Sequence, residues 1–153
     1  MAENWKHKSH LDQYRLDGKI AIVTGGGQGI GESCAHALVE AGANVIIVGR
    51  NEDNLIAVST ELNKKGQSSY FVADLVNTVE IKALQDYVAK KYKRADILIN
   101  NAGIGQWKSA LDITTEDWDL MIKTNLSSAF QLSQQFGKMM IDNKYGKIVN
   151  ISS

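Results

Sequence analysis

The sequence predicts an α/β domain built on a doubly wound parallel sheet, and three observations carry that expectation. From Gly18 onward, short β-branched runs alternate with longer amphipathic ones. The short runs are apolar on both faces, as strands covered by helices on both sides must be. The first run leads directly into a glycine-rich loop that opens a helix. Right-handed crossovers then favour a sheet of five strands in the order 3-2-1-4-5.

The elements follow in order. Residues 1–17 are polar and aperiodic, and read as an extension outside one domain spanning 18–153. Within it His7 and His10 stand three apart, but no cysteine or carboxylate cluster accompanies them, so no metal site is expected. Lys19–Thr24 is the first buried strand. Ile30, Cys34, Ala37, Leu38 and Ala41 recur at helical spacing, with Gly42 placed to end that helix. Asn44–Val48 is the second strand, and Asn51 can cap a helix over Glu52–Lys65 that Gly66 stops. Ser69–Ala73 is the third strand. Asn77 with Glu80 resembles a capping box ahead of Ile81, Leu84 and Val88. Asp96–Asn100 is the fourth strand, and Thr114 with Asp117 caps a helix through Trp118, Met121 and Ile122. A long amphipathic run then carries Leu126, Phe130, Phe136, Met139 and Met140 to Asn143. Gly146 breaks it before the fifth strand, Lys147–Ile151. With no proline and no internal repeat, the pattern is one Rossmann-like unit.

Composition excludes several functions. The 153 residues carry 17 basic and 17 acidic side chains, a formal net charge of zero, which argues against nucleic-acid binding by bulk electrostatics. One cysteine, Cys34, excludes a disulfide framework and fits a reducing compartment. Apolar runs such as Val45–Val48 are far shorter than the ~20 residues of a membrane span. Met1–Lys8 lacks the apolar stretch of a secretory signal. A soluble, cytoplasmic protein with no membrane or nucleic-acid partner is expected.

The chemistry starts at Thr24-Gly25-Gly26-Gly27-Gln28-Gly29-Ile30-Gly31. Strand, glycine loop and helix together present backbone N–H groups and a positive helix end to a phosphate. A Walker A loop would need lysine where Glu32 stands, and that charge would repel a triphosphate. What remains is T-G-x-x-x-G-x-G, through Thr24, Gly25, Gly29 and Gly31. Three further motifs follow in register: Asn100-Asn101-Ala102-Gly103, Lys123-Thr124-Asn125-Leu126, and the stretch from Gly146 to Ser153.

On these motifs, from Leu16 to Ser153, the sequence resembles the short-chain dehydrogenase/reductase family. Its look is nearest to 3-oxoacyl-[acyl-carrier protein] reductases and to sugar or polyol reductases such as gluconate 5-dehydrogenases. The resemblance implies hydride transfer between a nicotinamide and a small-molecule carbonyl or secondary alcohol. It implies cofactor contacts from Gly25, Gly27, Gln28, Gly29, Ile30 and Gly31, from Asp74 and Leu75, and from Asn101, Ala102 and Gly103. Asp74 would accept from the adenine amino group. Asn125 and Ser153 take the catalytic roles, the first positioning a water and the second bonding the substrate oxygen. Members pair the long helix in homodimers or homotetramers.

Cofactor choice rests on Val48-Gly49-Arg50 at the end of the second strand. NAD enzymes of this fold hold the ribose 2′-OH with an acid there, whereas a cation serves the NADP 2′-phosphate. Glycine takes the acid's place and a bidentate guanidinium follows, so NADP(H) is expected. The family's Tyr-x-x-x-Lys lies beyond its serine. The only such pair here, Tyr87 to Lys91, precedes Asn100 and reads as helix packing with a solvated lysine. The sequence is therefore expected to be the amino-terminal, cofactor-binding portion of such an enzyme, without the carboxy-terminal part of the fold and inactive by itself. A non-catalytic dinucleotide-binding or scaffold protein is the alternative.

Overall fold

The computed structural model describes residues 10–152. Five strands, β1 (Ile20–Thr24), β2 (Asn44–Gly49), β3 (Gln67–Val72), β4 (Ile97–Asn100) and β5 (Lys147–Asn150), form one sheet in the order β3-β2-β1-β4-β5. Every neighbouring pair is parallel, with Val23 beside Ile47 and Ile99, and Asn100 beside Asn150. The expected fold class and strand order are the observed ones.

The β-branched runs fill both faces. On one face Ile22, Ile46 and Leu98 pack with Leu84 and Val88 of α3 (Thr78–Tyr92) and Leu132 and Phe136 of α5 (Ser128–Asp142). On the other, Val23, Val45 and Ile47 meet Ala35 and Val39 of α1 (Gly29–Glu40) and Leu55 and Leu62 of α2 (Glu52–Leu62). Each such side chain taken fully out of water contributes about 1.5–3 kcal/mol. Below the sheet, buried Asp96 accepts from Ile20 N at 2.9 Å and pairs with Arg94 Nη2 at 2.5 Å, joining the starts of β1 and β4. The chain reverses its direction of travel across the sheet between β3 and β4. The carboxyl ends of β1 and β4 therefore flank a crevice, where ligands of such sheets bind.

Local boundaries differ from the sequence reading for tertiary reasons. The second helix ends at Leu62 rather than Lys65, because Asn63 Oδ1 accepts Ser68 N at 2.8 Å and turns the chain into β3. Gly66 instead sits where a Cβ would lie 2.7 Å from Val39 Cγ1. β3 starts at Gln67, since its pairing with β2 runs down to Asn44. The Asn77–Glu80 pair is not a reciprocal box: Asn77 Oδ1 caps Val79 N, while Glu80 reaches back to Asp74 N at 2.7 Å. The long final run is broken into α4 (Thr115–Ile122), a π-helical turn over Lys123–Ser127, and α5. After α5 the reversal falls on Lys144, φ 53°, and not on Gly146. Thr114 and Asp117 do form the expected reciprocal cap of α4. No helix among the described residues is long and apolar enough to cross a membrane.

Candidate functional site

The glycine loop bridges β1 and α1. Gly25 and Gly29 hold φ of +64° and +59°, left-handed angles that other residues rarely adopt. A Cβ on Gly31 would lie 2.3 Å from Gly25 O and 2.5 Å from Asn101 Nδ2, so α1 can approach β1 and β4 only as glycine. Side chains cap α2, α3 and α4: Asn51, Asn77 and Thr114 each accept a first-turn N–H. Gln28, at the start of α1, makes no such bond. The positive end of α1 is left open toward the crevice, which suits an anionic ligand.

Thr24 and Asn101 lock the two strand ends together. Buried Thr24 Oγ1 accepts from Asn101 N and Ala102 N, both at 2.9 Å, and donates to Ile99 O at 3.2 Å. Asn101 Nδ2 returns bonds to Thr24 O at 3.0 Å and Gly25 O at 3.3 Å. The turn after β4 is thereby pinned against the glycine loop.

These pieces wall a cleft of about 450 Å³. Of the cofactor residues expected from the sequence, all but Gly31 line it, from Gly25 through Arg50, Asp74 and Leu75 to Gly103. Gly31 lies beneath, as the close-packed floor. Arg15 and Arg94 are paired with Asp17 and Asp96, but Arg50 has no carboxylate or hydrogen-bond partner among the described residues. Asp74 does cap its own turn, Oδ1 accepting Val76 N at 3.1 Å, and Oδ2 takes no hydrogen bond among the described residues. The sequence reading gave no cofactor contact to Asn51, Asn54, Leu55, Ala73 or Thr124, which also line the cleft. Adjacency to Arg50, Asp74 and Asn125 was the available signal for Asn51, Ala73 and Thr124. Thr24, quoted as part of the motif, was missed as the lock.

Asn125 sits in the π-helical turn, off the cleft wall, and clamps the chain leaving β4. Its Oδ1 accepts Ile104 N at 2.8 Å and its Nδ2 donates to Ile104 O at 2.9 Å. Farther along the same segment, Asp117 receives Lys108 Nζ at 2.5 Å and Gln106 Nε2 at 3.0 Å. Lys108 first, then Gln106, hold its carboxyl down at about 2, from the usual 3.8. Between these anchors Trp107 stands fully exposed. Ser153 and residues 1–9 lie outside the described residues, so the expected serine role and most of the amino-terminal extension do too. His10 is described only in its backbone, within a 3₁₀ turn to Tyr14. Among the described residues no three His, Cys, Asp or Glu side chains gather as a metal site.

An open helix end, an uncapped glycine loop and a free arginine at the carboxyl edge of a parallel sheet define a dinucleotide-type cleft. The model of the short chain dehydrogenase family matches residues 19–153, and the chain belongs to that family. It is 40% identical over 146 residues to a galactitol 2-dehydrogenase of Rhizobium johnstonii, covering 95% of this chain and 57% of that protein. A 3-oxoacyl-[acyl-carrier-protein] reductase of Thermotoga maritima is 34% identical over 140 residues, 91% of this chain and 57% of the other. Among solved structures, a gluconate 5-dehydrogenase from Burkholderia cenocepacia J2315, in complex with NADP and tartrate, superposes with a TM-score of 0.87 at 34% identity. That match covers 95% of this chain and 57% of the other. The chain thus spans little more than half the length of the relatives it matches.

Proposed function

We propose that the protein is an NADP(H)-dependent oxidoreductase acting on small-molecule secondary alcohols or the matching carbonyls, and that this chain supplies its cofactor cleft. The observation that carries the reading is the unpaired Arg50 beside Gly49, a cation where a 2′-phosphate needs one and no acid where a 2′-OH would need it. The residues fit the group: the open N-terminus of α1 suits the pyrophosphate, Asp74 the adenine amino group, and Asn101–Gly103 the nicotinamide side. When bound, the dinucleotide supplies or accepts the hydride. Asn125 fixes the segment leaving β4 beside the reacting end, and Ser153 would donate to the substrate oxygen as negative charge develops there. Tyr87 and Lys91, on α3, are not among the residues lining the cleft and take no part in this reaction. The complete protein works as a homodimer or homotetramer.

Titrating the protein with NADPH and NADH, by cofactor fluorescence, tests the assignment. Arg50→Asp removes a charge-assisted contact and adds repulsion, so NADPH binding should weaken by about 2 kcal/mol, roughly thirtyfold, while NADH binding changes little. An unaltered preference between the two cofactors would overturn it.

A further inference from the structure

Away from the cleft, α3 and β3 bring a lysine, two tyrosines and a serine together. Lys91 Nζ donates to Tyr87 Oη at 2.9 Å and lies 5.3 and 5.1 Å from the ring centres of Tyr87 and Tyr92. From β3, Ser69 Oγ stands 2.9 Å from Tyr92 Oη and 3.5 Å from Tyr87 Oη. Phe71 packs on the Tyr87 ring at 5.2 Å between centres, which fixes the phenol against the sheet edge. The acid nearest in sequence, Asp86, is engaged by Lys82. The phenol oxygen therefore faces a cation and a hydroxyl, with no carboxylate bonded to it among the described residues.

Tyr92 shares Ser69 and Lys91 with Tyr87, while the three tyrosines outside the cluster lack this arrangement. Tyr70 Oη donates to Glu52 Oε1 at 3.4 Å and has no lysine bonded to it. Tyr145 meets Lys19 only through its ring face, 3.7 Å from the centre. Tyr14 is 68% exposed. Burial alone would push the Tyr87 phenol up, but its bonds with Lys91 and Ser69 and the lysine charge outweigh it and hold the phenol below its usual range. Lys91 moves the opposite way, raised chiefly by its bond to Tyr87, and stays an ammonium.

We propose that Tyr87 is a nucleophilic tyrosine, a covalent modification site that takes an acyl group from an activated acyl donor. The Tyr87 oxygen attacks the acyl carbon, an ester C–O bond forms, and the bond to the leaving group breaks. The leaving group departs with the electron pair and takes up the phenolic proton. Lys91 stays protonated throughout and stabilises the phenolate as it forms. Ser69 holds the ring oxygen in line with that charge.

N-acetylimidazole on the purified protein, followed by peptide mass spectrometry over time at pH 8, tests this. A lowered phenol gains anion but loses some intrinsic nucleophilicity, a balance that for thiolates leaves about a threefold gain per unit. Tyr87 is expected to acetylate faster than the more exposed Tyr14, with its rate rising at a lower pH. Hydroxylamine should remove the label, as it does an aryl ester but not an amide. Lys91→Met should bring Tyr87 down to or below the rate of Tyr14, and Lys91→Arg should restore part of the difference. Tyr14 leading in the wild type, a Tyr87 rate untouched by Lys91→Met, or a hydroxylamine-stable label on Lys91 would each overturn the proposal.

Discussion

At Gly49 a Cβ would meet only the Leu55 side chain, no nearer than an ordinary 3.5 Å, and the backbone is not left-handed. Packing does not demand glycine there, so an acid could be accommodated at this position. Gly49→Asp should fold normally and invert cofactor preference, because its carboxylate would accept from a ribose 2′-OH and repel a 2′-phosphate. The ratio of NADPH to NADH dissociation constants reads this out, and an unchanged ratio would count against the cleft as drawn. Thr24 makes the opposite case. Thr24→Val keeps the shape but strands the N–H groups of Asn101 and Ala102, so urea unfolding should show a loss of about 2–3 kcal/mol. That Arg50 and Asp74 line the cleft was legible in the sequence, because both follow strands whose carboxyl ends face it. Thr24 was not, because its partner lies 77 positions away and only the sheet brings them together.

The elements were legible where their signal is local and lost where a neighbour sets it. Strands apolar on both faces announce a parallel sheet by themselves, and so do the caps Asn51 and Thr114. The stop at Leu62 and the break at Lys123–Ser127 were invisible, since Ser68 pulls on Asn63 in one case and Ile104 engages Asn125 in the other. The segment between Ile104 and Asp117 shows how such contacts build an element without regular structure. Its far anchor is a carboxylate held near 2, so the brace is complete above the ordinary carboxylate range and is lost as pH falls through about 2. Lys108→Met removes the largest cause of that depression. The pH at which the segment loosens should then rise toward 4, as read by the fluorescence of Trp107 or by limited proteolysis at acid pH. A transition that stays near 2 in the variant would show that Lys108 does not hold the brace.

Among the described residues, helices cover both faces of β1, β2 and β4, while β5 and the outer side of the last helices stay exposed. Leu132, Phe136 and Met140 point α5 into the core, while Trp118, Ile122, Leu126 and Phe130 recur every four residues on the solvent side. Leu126 and Phe130 are 63% and 65% exposed, and Ile141 continues the strip at 77%. Gly137, where a Cβ would meet nothing within 4 Å, leaves room beside it for an incoming helix. An apolar strip of this length is unfavourable in water and would be relieved by burial against the same strip of a second copy. Light scattering at micromolar concentration should therefore give the mass of a dimer or larger. Phe130→Glu places a carboxylate in the middle of that seam, where desolvating it would cost several kcal/mol, so the variant should shift to the monomer. Its far-ultraviolet circular dichroism should not change, because Phe130 belongs to neither core. A wild-type monomer, or an oligomer indifferent to Phe130→Glu, would place the assembly surface elsewhere.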